Sequence, residues 1–149
     1  MINIYLIKKI SLALAESFKT FRKAHPSQLI MTLLVKNEES ILEENLLFHK
    51  AMGVDSFIIT DNNSTDSTPD IIRKYKQKGW IKEVIEEKAT DYEQKEWVDR
   101  MIWKAKTIYK ADWIINADAD ELWYSPSGNL KTELSTTHAN VLNCEMKCV

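Results

Sequence analysis

Trp113-Ile114-Ile115-Asn116-Ala117-Asp118-Ala119-Asp120-Glu121 reads as a short buried strand that runs into a cluster of carboxylates. Three acids within four positions repel one another once ionised. Such a cluster persists where water solvates it or a cation neutralises it. In an extended chain Asp118 and Asp120, two apart, project to the same side. Two hard oxygen ligands at the C-terminal end of a strand suit Mg²⁺ or Mn²⁺ carrying a diphosphate. The competing reading is a plain polar turn, and the segments on either side decide between the two.

Upstream of this strand, Trp97/Val98, Met101/Ile102, Ala105 and Ile108/Tyr109 recur at helical spacing and predict a helix from Tyr92 to Tyr109. Trp80 to Ile85 alternates and is expected to be a strand. Before it, Thr68-Pro69-Asp70 opens a helix that ends at Gly79, with Thr68 as cap and Pro69 at the first helical position. Ser56 to Thr60 is a strand, followed by the polar loop Asp61 to Asp66. Gln28 to Val35 is a nearly continuous apolar run, which suits a strand covered on both faces. Asn37 follows as the expected N-cap of a helix reaching Met52 and stopping at Gly53, with Glu38 and Glu39 in its first turn. The order is β-α-β-α-β-α-β, an α/β fold with a mostly parallel sheet. Beyond the turn Ser125 to Asn129 the pattern weakens, with one further strand expected over Val141 to Met146. Residues 1–27 form a separate leader with a basic helical stretch, and residues 28–149 form the domain.

Composition narrows the function classes. The chain has 149 residues, 28% of them charged, and a net charge of −2, so no basic field points to nucleic acid. No run approaches the roughly 18 apolar residues that span a membrane. The N-terminal helix, with Lys8, Lys9, Lys19, Arg22 and Lys23, could make peripheral contact with an anionic membrane face, although a packing helix is the plainer reading. Cys144 and Cys148 make neither a zinc site nor a disulfide framework and read as reduced thiols in a cytoplasmic setting. Five tryptophans are expected mainly in the core, with Trp123, just past the acids, a candidate ligand contact. His25, His49 and His138 are scattered and read as structural or surface residues.

Ligands of parallel sheets bind beyond the carboxyl ends of the strands. Three polar loops leave those ends, at Lys36-Asn37-Glu38, Asp61 to Asp66 and Asp118 to Glu121, and all are predicted on one edge. The chain has three glycines and no glycine-rich dinucleotide or P-loop motif, which argues against a dehydrogenase or a P-loop ATPase. What remains is a diphosphate leaving group held by a metal, with Asp118 and Asp120 anchoring the ion and Asp61 accepting a hydrogen bond from a nucleobase.

Three segments carry a resemblance: Leu34-Val35-Lys36-Asn37-Glu38, Ile59-Thr60-Asp61-Asn62-Asn63-Ser64-Thr65-Asp66-Ser67-Thr68, and Asn116-Ala117-Asp118-Ala119-Asp120-Glu121. In that order and spacing the chain resembles a family 2-type glycosyltransferase of the GT-A fold, a Rossmann-like nucleotide-diphospho-sugar transferase. Asn62 and Asn63 stand where that family more often has Asp and Gly. The resemblance implies a nucleoside diphosphate sugar donor, UDP-type by expectation, with Mn²⁺ or Mg²⁺ and a carbohydrate or glycoconjugate acceptor. It places Asp61 at the base, Asn62 among the donor-binding residues, Asn37 and Glu38 near the nucleoside, Asp118 at ribose or metal and Asp120 at the metal. The region of Arg100 and Lys104 is a weaker candidate for phosphate. It implies inversion at the anomeric carbon through an acidic general base. After Glu121 only Glu133 and Glu145 remain, and neither is assigned that role. A full domain of this type needs about 200 residues, so the acceptor half is expected to be missing or shortened. The rival functions are a catalytically incomplete binding module and a metal-dependent phosphatase or nucleotidyltransferase. A phosphatase nucleophile would normally follow the first strand, where this chain has Lys36-Asn37.

Overall fold

The structure, a computed structural model, describes residues 27–88, 94–137 and 141. Within them lie β1 (Leu29–Val35), α1 (Leu42–Ala51), β2 (Ser56–Asp61), α2 (Thr68–Gln77), β3 (Ile81–Glu86), α3 (Gln94–Thr107), β4 (Trp113–Asp118) and α4 (Leu130–Thr136). The expected N-terminal helix, the start of the third helix at Tyr92, both cysteines and the late strand lie outside the described residues. Val141 alone of that strand is described, and it is exposed at a bend.

The four strands form one parallel sheet in the order β3-β2-β1-β4. The central strand β1 has hydrophobic side chains on both faces because helices cover both. On one face Leu29, Met31, Leu33, Phe57, Ile59, Trp113 and Ile115 pack with Leu42 and Leu46 of α1, Ile72 and Tyr75 of α2, and Leu130 and Leu134 of α4. On the other, Ile30, Ile58 and Ile114 meet Met101 and Ala105 of α3. The chain adds β2 and β3 on one side of β1, then returns to place β4 on the other, and α3 covers the face opposite α1 and α2. Right-handed crossovers require that swap of face when the direction of winding reverses. The reversal makes the carboxyl ends of β1 and β4 the switch point at which such sheets bind ligands.

Several local expectations change. The first helix begins at Leu42 rather than after Asn37. Asn37 is not its cap: it adopts a left-handed φ of 56°, and the Glu38 carbonyl accepts from the Ile41 and Leu42 amides in an intervening turn. The acids of the first turn are therefore Glu43 and Glu44. Thr68 is the first residue of α2 rather than its cap, which is Ser67. The helix α4 was not legible, since Leu130 and Leu134 alone are buried among its residues 130–135. Trp103 is 59% exposed on the solvent side of α3 rather than in the core.

Candidate functional site

Parallel pairing places the ends of β1, β2 and β4 on one edge. Val35 pairs with Asp61, and Leu34 pairs with both Thr60 and Asp118. Asp61 and Asp118 thus flank β1 two strand spacings apart, about 10 Å. Residues of one parity face α1 and α2 and the other parity faces α3, so Asp61 belongs to the first side and Asp118 to the second.

The loops after β1 and β2 are sewn together by short polar side chains. Asp61, only 8% exposed, accepts at Oδ1 from the Ser64 amide (3.1 Å) and hydroxyl (2.5 Å). Ser64 Oγ in turn accepts from the Asn37 amide at 2.9 Å, and Asn37 Oδ1 accepts from the Thr65 amide at 2.8 Å. The Glu38 amide donates to Thr68 Oγ1 at 2.8 Å, and the Glu39 amide donates to Asp66 Oδ2 at 3.1 Å. At the start of α2, Glu39 Oε2 accepts from the Ser67 amide at 2.8 Å and Asp66 Oδ1 accepts from the Thr68 amide at 3.0 Å. These two carboxylates therefore sit at the positive end of α2. The buried Asn62 extends the ladder by donating its amide to the Val35 carbonyl at 2.8 Å. Asn63 has a φ of 54°, a conformation that Asn tolerates better than most residues.

The acidic cluster is turned rather than extended. The strand β4 ends at Asp118, and the Glu121 amide donates to the Asp118 carbonyl at 3.1 Å to close a turn through Ala119 and Asp120. The two-residue alternation expected of Asp118 and Asp120 therefore does not apply, because the turn rotates the chain between them. Electrostatics still couples them: burial raises the Asp118 carboxyl above its usual range and the Asp120 charge raises it further. Glu38 is raised too, first by burial and then by the charges of Asp120, Asp66 and Asp118. The loop after β1 and the end of β4 thus share one field of negative charge. Among the described residues no group of three or more His, Cys, Asp or Glu side chains is arranged to hold a metal ion.

Asn37, Glu38, Asp61, Asn62, Asp118 and Asp120 all lie on this edge. Arg100 and Lys104 do not serve it freely: Arg100 pairs with Glu87 at 3.1 Å and Lys104 with Glu83 at 2.5 Å. Trp123 is half-buried against the core, with its Nε1 3.4 Å from Glu121 Oε2, while its neighbour Tyr124 is 60% exposed. Sequence reasoning missed Asn45 and His49 of α1, both buried and both bonded to the segment that follows β4. Their signal was present as a polar pair at i and i+4 on the same stripe as Leu42 and Leu46. No helix among the described residues is long and apolar enough to cross a membrane.

No curated protein matches the sequence. Among solved structures, the chain is similar to the mannosyltransferase PcManGT from Pyrobaculum calidifontis in complex with GDP-Man and Mn²⁺, with 18% identity, a TM-score of 0.51 and 68% of this chain and 30% of that one covered. It is also similar to S. aureus TarS 1-349, with 17% identity, a TM-score of 0.52 and 72% of this chain and 31% of that one covered. At these identities the likeness shows a shared α/β fold, and the chain spans less than a third of the length of either structure. The resemblance to glycosyltransferases holds, and the family model that matches is that of family 92. The family model of glycosyltransferase family 92 covers residues 31–143, and the chain belongs to that family.

Proposed function

We propose that residues 28–149 form the nucleotide-sugar-binding part of a metal-dependent glycosyltransferase. It would transfer a sugar from a nucleoside diphosphate sugar to a hydroxyl of a carbohydrate or glycoconjugate. The observation that carries this reading is that Glu38, just after β1, and Asp118 and Asp120, at the end of the adjacent parallel strand β4, leave the same edge of the sheet, where their charges act on one another. A bound cation would relieve the cost of that field, and a diphosphate alone would add to it.

In this reading the nucleoside lies across the end of β1. Asp61 uses Oδ1 within its own loop, and Oδ2 accepts no hydrogen bond among the described residues, so it is the oxygen offered to a nucleobase N–H. Asn37, Glu38 and Asn62 border the nucleoside. Asp118, at ribose or metal, and Asp120, at the metal, contribute hard carboxylate oxygens, which fit Mn²⁺ or Mg²⁺. Diphosphate oxygens and water would complete the coordination. When bound, such an ion offsets charge on a departing diphosphate. The PcManGT structure, in complex with GDP-Man and Mn²⁺, supports a donor of this class. Inversion at the anomeric carbon is part of the proposal, and the general base for it is not assigned within this chain.

Calorimetric titration of UDP and GDP, each with and without Mn²⁺, tests the reading. The expected result is metal-dependent binding of one nucleotide, lost in Asp120→Ala. Absence of metal-dependent binding for both would overturn it.

A further inference from the structure

We propose that Asn45 and His49 of α1 are positioning residues for the acidic turn, an inference that rests on reading that turn as the cation and diphosphate site. Asn45 is 1% exposed and His49 is fully buried. Asn45 Nδ2 donates to the Ala119 carbonyl at 2.8 Å and to the Glu121 carbonyl at 3.0 Å. One amide group thus uses both of its hydrogens to grip the backbone on either side of Asp120. His49 Nε2 accepts from the Trp123 amide at 2.9 Å.

The chemistry of the pair leaves one arrangement. His49 Nδ1 faces two acceptors, the Asn45 carbonyl at 2.9 Å and Asn45 Oδ1 at 3.0 Å, so Nδ1 carries the hydrogen. That leaves Nε2 as the acceptor which the Trp123 amide needs. The contact to Asn45 Oδ1 in turn directs Nδ2 at the two carbonyls. A relay of side-chain bonds therefore runs from α1 to residues 119, 121 and 123 of the segment that carries the acids.

Leu42 and Leu46, on the same buried stripe, are what burial alone would select. A buried Asn and His in that stripe fix the backbone shape instead. The turn they hold carries Asp118, Asp120 and Glu121 within four positions, acids that repel one another once ionised. Without the grip on residues 119 and 121, that repulsion would spread the turn and separate the oxygens that share an ion.

The test compares His49→Leu, Asn45→Ser and His49→Gln in the full chain. The last keeps an acceptor near the position of Nε2. Amide hydrogen exchange across residues 119–123 is read without metal, and Mn²⁺ uptake is read by the loss of the free-ion paramagnetic resonance signal with GDP and with UDP. In His49→Leu and Asn45→Ser, exchange in this segment should rise and Mn²⁺ affinity should fall, each at least about tenfold, as expected for one buried hydrogen bond lost in the first variant and two in the second. Nucleotide affinity without metal should stay unchanged, and His49→Gln should recover most of both losses. Should His49→Leu fail to fold, Asn45→Ser and His49→Gln still decide the matter. Wild-type exchange and Mn²⁺ affinity in folded variants would overturn the positioning role and leave the proposed function standing. A uniform rise in exchange over the whole domain, unrelieved in His49→Gln, would also overturn it. Failure of the unaltered protein to take up Mn²⁺ with either nucleotide would defeat the proposed function and this inference together.

Discussion

The backbone amide of Glu38 donates to the Thr68 hydroxyl at 2.8 Å, joining residues 30 apart in sequence. Thr68 is fully buried, and its hydroxyl both accepts from the neighbouring loop and bonds the Asp66 carboxylate just ahead of its own helix. This bond sets where Glu38 stands relative to the acids beyond β4. Thr68→Val keeps the shape and removes the acceptor. It should cost about 1 to 2 kcal/mol in chemical denaturation, the penalty for leaving a part-buried amide unpaired, while Thr68→Ser should stay close to the native value.

Asp61→Asn should preserve the loop after β2, because an amide oxygen can still accept from Ser64. It replaces the charged acceptor offered to a nucleobase. Loss of a hydrogen bond to a charged group is worth about 1.5 to 3 kcal/mol, so nucleotide affinity should fall between tenfold and about a hundredfold with little change in thermal midpoint. Calorimetry and thermal unfolding on the same samples check both halves.

Asp118→Asn should move stability and metal binding in opposite directions. The folded-state pKa of Asp118 is raised by burial and then by Asp120. The stability linked to its protonated form is therefore full below the unfolded value of 3.8 and lost as pH rises through the folded value. At neutral pH the ionised carboxyl weighs against the fold, and the amide removes that weight. The metal-free variant should unfold at a higher temperature and take up Mn²⁺ at least about tenfold more weakly.

Burial lowers the His49 pKa from 6.5 to about 4, against the opposing hydrogen bond with the Asn45 backbone. A depressed folded pKa contributes stability that is present above 6.5 and drains away as pH falls toward 4. Protonation would also remove the acceptor that the Trp123 amide uses. Between pH 6.5 and about pH 5 the loss from this residue should be about 2 kcal/mol. Urea denaturation across that range should show the loss, and His49→Gln should flatten it.

Gly53→Ala should destabilise the domain by about 1 to 3 kcal/mol. Gly53 has a φ of +96°, and an added Cβ would lie 2.7 Å from Asn129 Oδ1. That oxygen caps α4 by accepting from the Lys131 amide, and the adjacent Leu130 amide donates to the Met52 carbonyl. The strain should appear in the urea midpoint without loss of nucleotide binding, since this corner lies at the far edge of the sheet from the acids.

The sequence by itself determined the alternation of strands and helices, the parallel sheet and the edge on which the polar loops emerge. Those features follow from local periodicity and from the handedness of crossovers, which every residue of an element repeats. It also named Asp61, Asp118 and Asp120, because carboxylates at strand ends are few and conspicuous. Only the tertiary structure decided that Asn37 joins two loops instead of capping a helix, and that Asp118 and Asp120 meet through a turn. It alone showed that Asn45 and His49 hold that turn from a helix more than 70 residues away in sequence. A single hydrogen bond between distant segments leaves no periodic mark in the chain, and its geometry exists only after the core has brought the two backbones together.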